Sequence, residues 1–123
     1  MRRNPHGPKL FNGYNDMTLQ ELNEITSREM LTLVDFYAAW CGPCRAMHPV
    51  LDKLAEEADG MVDIRRIDID KPENVEAVRQ HKIMAVPTLI LFRKGRILWR
   101  ESGVVPLKTL LEVVRRYDKV EVF

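Results

Sequence analysis

The 123-residue sequence predicts a single domain of the α/β class, in which a central mixed β-sheet is covered by helices on both faces. Three observations lead there. Short runs rich in β-branched and aromatic residues alternate along the chain with longer stretches whose apolar residues recur at helical spacing. The last two apolar runs are separated only by Lys94-Gly95, a turn that makes them a hairpin, whereas the earlier runs are connected through helices. With 46% apolar and 30% charged residues, the chain can build a core without disulfide staples.

Residues 1–16 form an extended lead-in, because Asn4, Pro5, Gly7 and Pro8 disfavour a packed element, with a first strand placed near 9–14. The domain proper is expected over 17–117 and a tail over 118–123. Thr18-Leu19-Gln20-Glu21 has the spacing of a capping box, and Leu19, Leu22 and Ile25 follow on one helical stripe. Residues 31–37 are apolar, β-rich and too short for a helix, so they read as a buried strand. The helix over 45–58 places Met47, Val50, Leu51, Leu54 and Ala58 on one face, is bent early by Pro49 and is stopped by Gly60. Alternation over 62–70 predicts a half-buried strand, and residues 73–81 a short helix. Residues 86–92 and 96–100 are the hairpin strands, the second ended by Gly103. Pro106 starts a last helix packed through Leu107, Leu110, Leu111 and Val114, and residues 120–123 offer an extra extended segment.

Several function classes are disfavoured. Nineteen Lys and Arg against 18 Asp and Glu leave a net charge of +1, which gives no electrostatic reason to expect nucleic acid or an anionic membrane. The basic pairs Arg2-Arg3, Arg65-Arg66 and Arg115-Arg116 are short enough to be solvated faces. No apolar stretch approaches the roughly 20 residues of a membrane span, and residues 1–8 lack the apolar centre of a signal peptide, which points to the cytoplasm. An exported, periplasmic form would have had its targeting segment removed. A structural zinc site needs two ligands beyond the cysteines, and His6, His48 and His81 show no paired spacing, so no metal is expected.

Trp40-Cys41-Gly42-Pro43-Cys44 holds the only two cysteines, at a spacing that lets both thiols share one turn between a strand and a helix. That arrangement suits two-electron thiol chemistry. Cys41 lies where the strand hands over to the helix, so unpaired amides and the positive end of the helix dipole favour its thiolate and make it the expected nucleophile. Cys44 is the expected resolving thiol, the more buried of the two, and needs a proton acceptor. Asp35, inside an apolar strand, is the candidate, since desolvation raises a carboxyl pKa; its alternative role is an ion pair with Arg66.

The run Val34-Asp35-Phe36-Tyr37-Ala38-Ala39-Trp40-Cys41-Gly42-Pro43-Cys44-Arg45, with Pro49 and Val86-Pro87-Thr88 downstream, closely resembles the thioredoxin family over residues 17–117. Lys94-Gly95 and Ser102-Gly103 fall in the matching order, and Tyr37 fits the aromatic that precedes the motif. Two departures stand out: about two extra residues near 71–74, and Arg66 where the family usually carries Lys. The resemblance implies the thioredoxin fold, a reversible Cys41–Cys44 disulfide as the redox group with no bound cofactor, and reduction of protein disulfides by a monomer. It implies that Pro43 favours reduction of targets, that Pro87 is cis and that Trp40, Gly42, Pro43, Val86, Pro87 and Gly103 form a platform for extended substrate segments. Trp40 buried as plain core is the other reading of that residue. The implied electron donor is a flavin- and NADPH-dependent reductase, or a membrane donor if the protein is exported. Two other expectations compete with this one: an exported thiol oxidoreductase acting on envelope proteins as oxidase or isomerase, and a non-catalytic binding subunit.

Overall fold

The computed structural model describes residues 18–121, so the lead-in, its first strand near 9–14 and the last two residues of the tail lie outside the described residues. Within them the order is α1 Leu19–Thr26, β1 Leu31–Tyr37, α2 Gly42–Glu57, β2 Val62–Asp68, a 3-10 turn Pro72–Asn74, α3 Val75–Gln80, β3 Thr88–Arg93, β4 Arg96–Ser102 and α4 Leu107–Asp118. Four strands form one sheet in the order β2-β1-β3-β4, with β1 parallel to β2 and the other pairs antiparallel. This is the expected mixed sheet.

Its two faces follow from strand periodicity. Leu31 and Leu33 of β1, Val62 and Ile64 of β2, and Leu89 and Leu91 of β3 meet Met47, Leu51 and Leu54 of α2 and Leu110, Leu111 and Val114 of α4. The intervening residues Val34, Phe36, Ile67, Ile90 and Phe92 meet Leu22 of α1 and Ala77 of α3 on the other face. Each fully buried Leu, Ile or Phe contributes about 1.5–3 kcal/mol, so the paired β1, buried on both faces, is the natural spine. The exposed pattern of β4 marks it as an edge among the described residues.

Local chemistry explains where the boundaries depart from the sequence pattern. The capping box at α1 forms in both directions, with Glu21 N donating to Thr18 Oγ1 at 3.1 Å and Thr18 N to Glu21 Oε1 at 2.8 Å. The second helix begins at Gly42 rather than 45, because Cys41 caps it and Pro43 lies in its first turn. The apolar alternation over 62–70 overran, and β2 stops at Asp68. The single helix expected over 73–81 is a 3-10 turn followed by α3, with the Asn74 amide donating to Asp68 O at 2.8 Å. β3 starts at Thr88, after a proline that has no amide hydrogen for the ladder. β4 runs two residues further than 100, since Ser102 pairs with Thr88. α4 passes 117 by one residue, and Val120 and Glu121 join no strand. Lys94 and Gly95 turn the hairpin with φ of 53° and 76°.

Candidate active site

The C-terminal end of β1, the start of α2 and the loop before β3 meet around the cysteines: Ala38, Cys41 and Cys44 form a small cluster against Tyr37, Ile69 and Val86. Cys41 is the N-cap of α2, in extended conformation, and its Sγ accepts from Cys44 N at 3.1 Å. An anionic sulfur here faces an amide hydrogen and the positive helix end. Cys41 and Cys44 are joined as a disulfide, with Cα atoms 5.2 Å apart. Cys44 is the more buried at 1%, as expected, and Cys41 is 5% exposed.

The loop before β3 supplies backbone. The Val86–Pro87 bond is cis, and Val86 O lies 3.7 Å from Cys41 Sγ. Gly103 N donates to Pro87 O at 2.8 Å, while Thr88 Oγ1 donates to Ala85 O at 2.7 Å and pairs with Ser102 Oγ at 2.8 Å. The end of β4 thus holds the loop in place. Gly103 has φ of +94°, which disfavours any side chain there. Trp40, Gly42 and Pro43 are exposed and Val86 and Gly103 half-buried, whereas Pro87 itself is buried. Trp40 is 68% exposed, which removes its reading as plain core, and its Nε1 donates to Asp70 Oδ2 at 2.8 Å.

Asp35 lies on the Leu31 and Leu33 face of β1 with no exposed surface. The parallel register sets it opposite Arg66, whose Nε donates to Asp35 Oδ2 at 2.9 Å, while Oδ1 has no partner among the described residues. Burial raises the Asp35 pKa from 3.8 to about 6, outweighing the opposing charge and hydrogen bond of Arg66. The two readings the sequence held apart therefore coexist: the carboxyl is desolvated and it is paired. Arg66 also reaches His48 Nδ1 at 2.9 Å and Cys44 O at 3.5 Å, and its guanidinium lies 4.0 Å from the Tyr37 ring centroid.

Two further residues join the site beyond those the sequence singles out. Asp70, placed by the alternation over 62–70 at a strand end, lies in a turn, where its amide donates to Asp68 Oδ1 at 2.9 Å. His48, considered in the sequence only for zinc, lies one helical turn beyond Cys44, and that spacing is the signal that points to it. Among the described residues no group of three His, Cys, Asp or Glu is placed to hold a metal, and no helix is long and apolar enough to cross a membrane.

Comparison with known proteins agrees with this geometry. The thioredoxin family model matches residues 15–116. The thioredoxin of Staphylococcus epidermidis ATCC 35984 is 41% identical over 85 residues, which span 69% of this chain and 80% of that protein. The thioredoxin of Staphylococcus aureus N315 is 40% identical over the same shares. Among solved structures, a point mutant of thioredoxin from Halobacterium salinarum NRC-1 superposes with a TM-score of 0.75 at 32% identity, covering 86% of this chain and 90% of that one. Chloroplastic thioredoxin z gives 0.74 at 31% identity, covering 85% and 93%. With a joined cysteine pair capping α2 beside a buried carboxyl, the chain belongs to the thioredoxin family of thiol–disulfide oxidoreductases.

Proposed function

We propose that the protein reduces disulfides in other proteins, with Cys41 as nucleophile, Cys44 as resolving thiol and Asp35 as the acceptor of the Cys44 proton. The observation that carries this reading is the Cys41–Cys44 disulfide at the start of α2 together with Asp35 of β1, which is fully buried with its pKa raised to about 6. In the reduced protein the Cys41 thiolate attacks one sulfur of a target disulfide. The target S–S bond breaks, a mixed disulfide forms, and the departing sulfur takes up a proton. Asp35 accepts the proton of Cys44, whose thiolate attacks Cys41 Sγ and expels the second target thiol. The target gains two electrons and two protons, and the Cys41–Cys44 disulfide is left.

An extended target segment suits the site, because the half-buried Val86 offers backbone beside Cys41 while Trp40, Gly42, Pro43 and Gly103 leave a shallow surface around it, with Pro87 supporting the loop from below. The reading includes a monomer acting in the cytoplasm without metal or nucleic acid, recycled by a flavin- and NADPH-dependent reductase. The roles are tested by insulin reduction and non-reducing mass spectrometry. Cys41→Ser abolishes turnover, and Cys44→Ser accumulates the mixed disulfide. Trapping by Cys41→Ser instead reverses the assignment, and a parent without reductase activity makes the protein a binding subunit.

A further inference from the structure

Arg66 divides its donors between a buried and an exposed partner. Nε points at Asp35, which is fully enclosed, and Nη1 points at His48, whose side chain is 46% exposed. A guanidinium carries only donors, so His48 Nδ1 is the acceptor in this contact. The ring hydrogen then sits on Nε2, the edge that faces Asp52 Oδ2 at 3.9 Å. The imidazole that meets Arg66 is therefore neutral.

We propose that His48 is a positioning residue for the resolving step, holding Nη1 of Arg66 so that Nε stays aimed at Asp35. The proposal rests on the role given to Asp35. The guanidinium is a rigid planar fork, so fixing one end at 2.9 Å fixes the direction of the other. Stacking on Tyr37 restrains the plane of the fork, but rotation within that plane is left to the in-plane partners. Among the described residues these include His48, Asp35 and, at 3.5 Å, the Cys44 carbonyl.

The groups facing His48 among the described residues are Arg66 from β2 and Asp52 from its own helix, with Asp35 and Tyr37 of β1 beyond the guanidinium. Without the imidazole, Arg66 loses its outer anchor. The contact that favours ionised Asp35 loosens, so the carboxyl keeps its proton more firmly and accepts one from Cys44 less readily.

The test is a carbon-13 NMR titration of Asp35 in the oxidised full chain. His48→Ala raises the Asp35 midpoint by about half a pH unit, since one in-plane partner of a charged network is lost. His48→Asn restores the parent midpoint, because Asn Oδ1 can take the place of Nδ1 as the acceptor. An Ala variant with an unchanged or lower midpoint overturns the proposal, and so does an Asn variant shifted as far as Ala. Failure of the Asp35 role looks different: release kinetics in Asp35→Asn would match the parent, while the His48 effect on the titration would persist.

Discussion

Replacing Asp35 by Asn should stabilise the oxidised protein at neutral pH and leave it unchanged in acid. The folded-state pKa of Asp35 lies at about 6 against the ordinary 3.8 of an unburied Asp, which stands for the unfolded chain, the reverse of the usual direction for a paired aspartate. Between those values the folded chain still holds a proton that the unfolded chain has released. Stability therefore falls as pH rises from near 4 through about 6 and levels off above. A rise of about two pH units corresponds to about 3 kcal/mol at pH 8. Asn is neutral throughout and can accept from Arg66 Nε as the protonated acid does, so the cost of leaving Arg66 without a counter-ion is common to the variant and to the acid form of the parent. The two should coincide below pH 4 and diverge to about 3 kcal/mol in favour of the variant at pH 8.

Urea unfolding at a series of pH values measures that divergence directly. A gap that does not change with pH, or a variant less stable than the parent at pH 8, refutes the reasoning, because either outcome means that ionising Asp35 costs the fold nothing. The same variant should attack substrate at the parent rate yet release the mixed disulfide slowly in single-turnover experiments, so what the fold gains at neutral pH the resolving step loses.

Two further outcomes follow from neighbouring contacts. Arg66→Lys replaces a stacked fork by a mobile ammonium, so the release phase should switch on at higher pH; an unchanged or lower midpoint in single-turnover kinetics speaks against it. Thr18→Ala removes the side-chain acceptor of the α1 capping box and should cost about 1 kcal/mol in urea unfolding without changing the insulin assay; a loss of activity at full stability would tie α1 to the site.

Much of this fold is legible because local and global signals agree. β1 was bounded correctly at Leu31 and Tyr37, since an apolar β-branched run flanked by a polar turn and by the cysteine motif leaves no other choice. The capping box fixed α1 for the same reason. Misplaced boundaries have two causes: Cys41 starts α2 through a local cap, its sulfur accepting from the amide three residues on, whereas Ser102 extends β4 by pairing with Thr88 across the hairpin. Only the second kind of pairing has no trace in a window of neighbouring residues.

Asp35 shows how a broken local rule becomes informative. An apolar strand that carries one aspartate pointing to its core face is a poorer strand by every packing criterion, and a buried ion pair seldom improves stability over an apolar pair of similar size. The sequence exposes this conflict, but not its extent, because Arg66 lies 31 residues away and reaches Asp35 only through the register of β1 with β2. His48 is more remote from any pattern, since it enters on the opposite end of the same guanidinium from a helix face that also contacts solvent. The strand can tolerate its aspartate because the fork distributes one positive charge over Asp35, His48, the Cys44 carbonyl and the Tyr37 ring. Desolvation still wins, and the carboxyl is left with a pKa near neutrality, where it can exchange a proton with a thiol that neither a fully ionised surface aspartate nor a permanently neutral amide could serve.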